Sequence, residues 1–234
     1  MAGRVVASIL VILGTQLALD RRQAEPGHPP VVELPLIFFY CGRMHNPLDL
    51  PPDLPVPVDD GACAHLTGLF LPNLQLQSTE GSLVSLSQLK GRTVLYCYPR
   101  TGQPGQPLPT GWDEIPGARG CTPQACGFRD HYQELLKAGA SQVFGLSTQE
   151  SDYQREVVDR LHLPFPILSD DDLTFATALK LPTFEVEGMT LIKRLTLIVD
   201  GNKIVKIFYP VFPPDRSAED TLQWVTANPP PAAY

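Results

Sequence analysis

From Gly61 onward, short runs with apolar residues at alternate positions take turns with longer runs carrying an apolar stripe at helical spacing, and no other feature limits the fold as much. Residues 74–86, LQLQSTEGSLVSL, read as two short strands around a Glu80-Gly81 turn. Residues 86–91 make a helical turn ending at Gly91, and RTVLYCYP, residues 92–99, is a buried strand that Pro99 stops. Thr122 followed by Pro123 is a helix-start signature, a capping hydroxyl and then proline at the first helical position. Ala125, Phe128, Tyr132, Leu135 and Leu136 carry that helix's stripe until Gly139 stops it. A strand follows at 141–147, then a helix capped by Ser151 with Tyr153, Val157 and Leu161 on one face and Pro164 closing it. Residues 165–169 form a strand and 171–179 a short helix. Residues 190–210 form a hairpin turning at Asp200-Gly201-Asn202, and 217–228 a last helix capped by Ser217. Helices alternating with a sheet that finishes in a hairpin predict an α/β domain, a three-layer α/β/α sandwich with a mixed central sheet.

Proline marks where this domain stops. Nine of the 25 prolines precede residue 60, and three stand together in the C-terminal tail. Such segments cannot be interiors of helices or central strands. Residues 1–60 therefore read as an apolar segment and a proline-rich linker without a core, 61–228 as the domain and 229–234 as a tail. The apolar run from Val5 to Leu19 behind Arg4 outlines a signal peptide, although no small-x-small cleavage site follows and fifteen residues are short for a membrane span. A net charge of −7 with no basic run excludes nucleic acid as the main partner. Cys41, Cys63, Cys97, Cys121 and Cys126 are an odd set in a mid-sized chain, which is not a disulfide-stapled scaffold. They suit a reducing compartment in which one pair cycles, so the expectation is a cytoplasmic protein, with secretion or membrane anchoring as the alternative if residues 1–22 are a targeting segment.

Cys121 and Cys126 lie five positions apart at the predicted helix start. A thiol reacts as its thiolate, and the unpaired N–H groups and positive dipole end of a first helical turn favour that form. Gly120 keeps the approach open and Arg119 adds a positive charge. Cys126 belongs inside the same helix, which places the two Cα atoms about 8–9 Å apart. A disulfide needs them within about 7 Å, so if the pair bonds at all, the first helical turn must unwind. The plainer alternative makes Cys126 a small buried hydrophobe and Cys121 an incidental surface thiol. A metal site through His131 has the wrong spacing for zinc.

With Tyr98-Pro99, Gly120-Cys121-Thr122, Cys126 and Phe128-Arg129-Asp130 in order, and with LPFPILSDDD and RLTLIVDGNKI downstream, the chain resembles the peroxiredoxin Q, or bacterioferritin comigratory protein, class of peroxiredoxins over residues 64–227. The resemblance implies a thioredoxin-like fold and a thiol-dependent peroxidase that reduces hydrogen peroxide or organic hydroperoxides without a cofactor. Cys121 would be the peroxidatic thiolate, Cys126 the thiol that resolves its sulfenic acid to an intramolecular disulfide, and Arg194 the arginine that holds thiolate and peroxide. Tyr98, Pro99 and Gly120 would shape the substrate site. A thioredoxin-like dithiol would be the reductant, and the protein a monomer or weak dimer away from membranes.

Two departures stand against the pattern. Ala118 occupies the position of the family's threonine, three residues before the peroxidatic cysteine, and an insertion of residues 101–118 separates Pro99 from Cys121. Thr101 or Thr110 would have to fold back to replace that hydroxyl, and Trp112 with Ile115 would tack the insertion to the domain. Cys97 reads as a packing residue, Cys63 and Cys41 as thiols of a flexible region, His131 and His162 as surface residues, and Arg194 has the alternative of a surface arginine in an edge strand. Two other functions stay open: a thioredoxin-like thiol–disulfide oxidoreductase or redox sensor, and a non-catalytic binding module on the same fold.

Overall fold

A computed structural model describes residues 50–230. The run Val5–Leu19, Cys41 and the last four residues lie outside them. Fourteen strands and helices follow in the order β1 (Leu76–Ser78), β2 (Leu83–Val84), β3 (Arg92–Cys97), α1 (Cys121–Asp130), α2 (Tyr132–Lys137), β4 (Ala140–Ser147), α3 (Ser151–Leu161), β5 (Ile167–Ser169), α4 (Thr174–Leu179), β6 (Thr183–Val186), β7 (Met189–Ile192), β8 (Leu195–Asp200), β9 (Lys203–Phe208) and α5 (Ser217–Ala227). Seven strands form one sheet in the order β2-β1-β5-β4-β3-β8-β9. β3, β4 and β5 run parallel, while β1, β8 and β9 pair antiparallel with their neighbours, so the sheet is mixed as predicted.

Side-chain alternation along the central strands sorts residues to two cores. From β3, Val94, Tyr96 and the following Tyr98 enter one core, where α1, α2, α3 and α5 supply Phe128, Leu135, Val157 and Val225. Leu95 and Cys97 point to the opposite core, filled by α4 and by Cys63, Leu66 and Leu71 of the segment before β1. β8 repeats the pattern, with Ile198 on the first side and Leu195, Leu197 and Val199 on the second. The Tyr96 ring stacks on Phe128 with centroids 4.4 Å apart, fixing α1 to the sheet. Cys63 is thus a buried residue of the domain, 5% exposed, and not a thiol of a flexible region.

Several boundaries differ from the sequence expectation. The helix expected over 122–138 is two, because His131 leaves helical geometry between α1 and α2. No side chain caps α1, α3 or α5: Thr122, Ser151 and Ser217 all lie inside their helices, and Ser151 donates to the Gln77 carbonyl instead. The stretch read as one hairpin from residue 190 is divided at Lys193-Arg194. β7 pairs with β6 around a Glu187-Gly188 turn, and only β8 and β9 form the hairpin of the main sheet.

Candidate active site

α1 begins at the sulfur that sequence singled out. Gly120 holds a left-handed backbone (φ 99°), and a Cβ there would collide with the Pro214 ring and stand 3.1 Å from Leu50 Cδ2. Both constraints select glycine, which turns the chain so that Cys121 is the first residue of the helix. Cys121 is buried, 4% exposed, and its thiol donates to the Ala118 carbonyl at 3.5 Å.

Arg194, in the break between β7 and β8, is 3% exposed and is no surface arginine. Its Nη2 donates to Cys121 Sγ at 3.2 Å, to the Ala118 carbonyl at 3.1 Å and to the Arg119 carbonyl at 3.0 Å. Nη1 donates to Gln124 Oε1. Gln124 in turn donates to Ser217 Oγ at 3.2 Å, and Ser217 shares a 3.3 Å hydrogen bond with Thr196. A fixed cation therefore lies against the sulfur, with its direction set by a buried chain of neutral polar groups. Sequence reasoning passed over Gln124 and Thr196 and gave Ser217 a capping role. Gln124 lies one helical turn from Cys121, and Thr196 lies two residues after Arg194 at the start of β8, which are the spacings that would have found them.

Cys126 sits lower in the same helix, in the core with Phe128 and Tyr96. Burial pushes its thiol up, with Arg129 acting in the opposite direction. Both cysteines are free, and α1 is unbroken between them. Tyr98 and Pro99 are buried and do not line the space in front of Cys121, whereas Gly120 does. His131 pairs with Glu134 on the surface, and among the described residues no cluster of metal-binding side chains occurs.

The insertion stands in front of the sulfur. Together with Arg100, Arg119, Gly120, Cys121 and Thr122 it lines a cleft of about 780 Å³. It is tied down by Arg119–Asp113 at 3.2 Å, by Trp112 packed on Phe184 of β6, and by the Thr110 N–H donating to Glu187 at 2.9 Å. Ile115 joins this small core, as sequence anticipated. The two threonines go to different places. Thr110 is exposed, while Thr101 is 1% exposed in the cleft wall. The Thr101 N–H and hydroxyl both donate to Gln149 Oε1, at 2.9 and 3.1 Å, and its carbonyl accepts from Gln149 Nε2 and from the Tyr153 hydroxyl, each at 3.1 Å.

The sequence profile of the Redoxin family matches residues 67–222. A chloroplastic peroxiredoxin Q of Oryza sativa subsp. japonica is 36% identical over 158 residues, 67% of this chain and 64% of the rice protein. One of Gentiana triflora is 31% identical over 191 residues, covering 79% of this chain and 80% of the relative. The chain thus spans somewhat less than two thirds of the rice protein's length. Among solved structures, peroxidoxin BcpB from Mycobacterium tuberculosis superposes with a TM-score of 0.56 at 26% identity, over 69% of this chain and 97% of that one. Peroxiredoxin Q of Xanthomonas campestris, at 22% identity and a TM-score of 0.54, covers 68% and 96% and attests to the fold.

Proposed function

The chain belongs to the peroxiredoxin Q family of redoxins, and from that premise we propose that it is a thiol-dependent peroxidase using Cys121, Cys126 and Arg194. The observation that carries the assignment is the Arg194 guanidinium at 3.2 Å from the Cys121 sulfur. A hydroperoxide enters the cleft, and the Cys121 thiolate attacks its terminal oxygen. An S–O bond forms as the O–O bond breaks, and the departing alkoxide or hydroxide takes a proton from water. Cys121 is then a sulfenic acid, oxidised by two electrons, and the peroxide is an alcohol or water. Arg194 stabilises the thiolate and the charge that develops on the oxygens. Because its donors are already oriented, little reorganisation accompanies the step.

In the second step the Cys126 sulfur displaces the hydroxyl of the sulfenic acid, forming a disulfide and releasing water. A continuous α1 holds the two cysteines too far apart for that bond. The first turn unwinds, and Cys126 leaves the core where burial keeps it protonated. A thioredoxin-like dithiol returns the pair to thiols by exchange. The plant relatives are named as chloroplastic, and by that analogy residues 1–22 serve as a targeting segment.

Intact-mass analysis with thiol trapping tests the cycle, after one equivalent of hydrogen peroxide. The wild type is expected to lose two trappable thiols as a Cys121–Cys126 disulfide, and Cys126→Ser to stop at a Cys121 sulfenic acid. A Cys121 that stays a free thiol in both proteins would refute the peroxidase assignment.

A further inference from the structure

We propose that residues 50–60 form a strap that fastens the start of α1 to the break between β7 and β8, and that release of the strap governs how fast Cys126 reaches Cys121. This inference rests on the peroxidase reading and adds a conformational control to its second step. Pro51, Pro52, Pro55 and Pro57 fix φ along the segment, which belongs to no strand or helix. A chain stiffened in this way loses little entropy on being held, so a few contacts suffice to seat it.

The contacts fall on both sides of Arg194. Pro57 covers Gly117, its Cγ 3.6 Å from where a Cβ would stand, and Leu50 covers Gly120, its Cδ2 3.1 Å from the corresponding point. Between these two glycines lie Ala118 and Arg119, whose carbonyls accept from Arg194. At the other end of the strap, Asp60 accepts from Lys193 Nζ and from the Tyr209 hydroxyl, each at 2.8 Å, and from the Ala62 N–H at 3.1 Å. Hydrogen bonds from Lys193 and Tyr209 hold its carboxyl down at about 2, so the pair with Lys193 stays charged at neutral pH. Lys193 adjoins Arg194, and beyond Asp60 the chain enters the core through Cys63 and Leu66, so this end is fixed. The middle is not: Val56 and Val58 are 63% and 81% exposed, and the strap can lift from Gly120 while Asp60 keeps its hold. In α1 the Gln124 N–H donates to the Gly120 carbonyl at 3.1 Å, closing the first turn. Resolution breaks that bond and takes Gly120 off Leu50. The Cys126 thiol then displaces the hydroxyl of the Cys121 sulfenic acid, giving the disulfide and water. A strap seated on Gly120 favours the closed turn and delays this step.

The test joins amide hydrogen exchange of residues 121–126 in the reduced full-length protein to the rate of disulfide formation after one equivalent of hydrogen peroxide. Leu50→Ala removes three partly buried carbons and is expected to speed exchange in the first turn about fivefold. Asp60→Asn weakens a surface ion pair and is expected to speed it about twofold. Val58→Ala, at an exposed position, leaves it unchanged. In all three variants the amides of β3 and β4 are expected to exchange as in the wild type, which separates a local release from a general loss of stability. Disulfide formation quickens by the same factors as exchange. First-turn exchange unchanged in Leu50→Ala, acceleration that extends to β3 and β4, or faster exchange with an unaltered disulfide rate overturns the proposal. Should hydrogen peroxide leave Cys121 unoxidised in every protein, the peroxidase reading fails and exchange alone decides whether the strap fastens α1. Acceleration confined to the first turn in Leu50→Ala then upholds the strap, and its absence overturns it.

Discussion

At the scale of residues, Arg194 is the group on which the site turns, because one guanidinium meets a sulfur, two carbonyls and an amide oxygen at the same time. A planar fork with five donors can do this and an ammonium cannot. Arg194→Gln is expected to slow oxidation of Cys121 by hydrogen peroxide by about 10²–10³, the cost of losing one preorganised charge-stabilising donor. Arg194→Lys restores a charge without the fork and is expected to recover only a minor part of that loss. Stopped-flow measurement of the second-order rate constants separates the cases. A lysine variant as fast as the wild type would show that charge alone, and not the held geometry, carries the effect.

Between residues and the whole lie the insertion and the β6–β7 hairpin, which act as one element. Trp112, Ala118, Val186 and Leu191 form a small core of their own, with Ile115 and Phe184 packed against it. This core includes Ala118, whose carbonyl accepts from both the Cys121 thiol and Arg194. The element therefore braces the residues that the proposed Cys121–Cys126 disulfide requires to move. Trp112→Ala removes its largest side chain, and for a residue 4% exposed the expected loss of stability is about 3 kcal/mol. The same variant is expected to convert the Cys121 sulfenic acid to disulfide faster than the wild type. Denaturant unfolding measures the first effect and acid-quenched mass analysis after a single turnover the second. An unchanged disulfide rate would mean that the insertion shapes the cleft without restraining the helix.

The whole molecule decides which thiols are available. Cys63 and Cys97 both belong to the core on the far side of the sheet from α1. Burial pushes the Cys63 thiol up to about 12, with the charges of Asp60 and Asp59 adding to it, and raises Cys97 as well. Both are protonated at pH 8, so iodoacetamide is expected to modify Cys121 in the native protein and to spare these two until denaturant is added. Peptide mapping reads the result, and native labelling of Cys63 or Cys97 would contradict the assignment. The sign of the linkage is set by the same shift. An unfolded Cys63 loses its proton near 9.0 and the folded one near 12, so the stabilising contribution is full below 9.0 and is lost as pH rises through that interval.

How far the sequence reached depended on how local each feature is. Strand and helix periodicities and the cysteine spacing are set within a few residues, and the mixed α/β/α sandwich was legible from them. Arg194 was legible because its motif survives intact around it. The β6–β7 hairpin went unread although Glu187-Gly188 is a turn signal, because the apolar alternation runs on through Lys193-Arg194 and hides the break between sheets. The expected caps at Thr122 and Ser217 failed for a tertiary reason. Gly120, wedged against Pro214, already starts α1, and Ser217 serves the Gln124–Thr196 contact instead. The sequence by itself determined the fold class, which rests on local periodicity, and it singled out Cys121 by its place at a helix start and Arg194 by resemblance to the family motif. Only the tertiary structure decided what surrounds them: Thr101 clamped by Gln149 across 48 positions, Arg194 meeting Gln124 across 70, and the insertion folded into a wall. Contacts closed over such separations are selected by the packing of the whole sheet, and no local pattern encodes them.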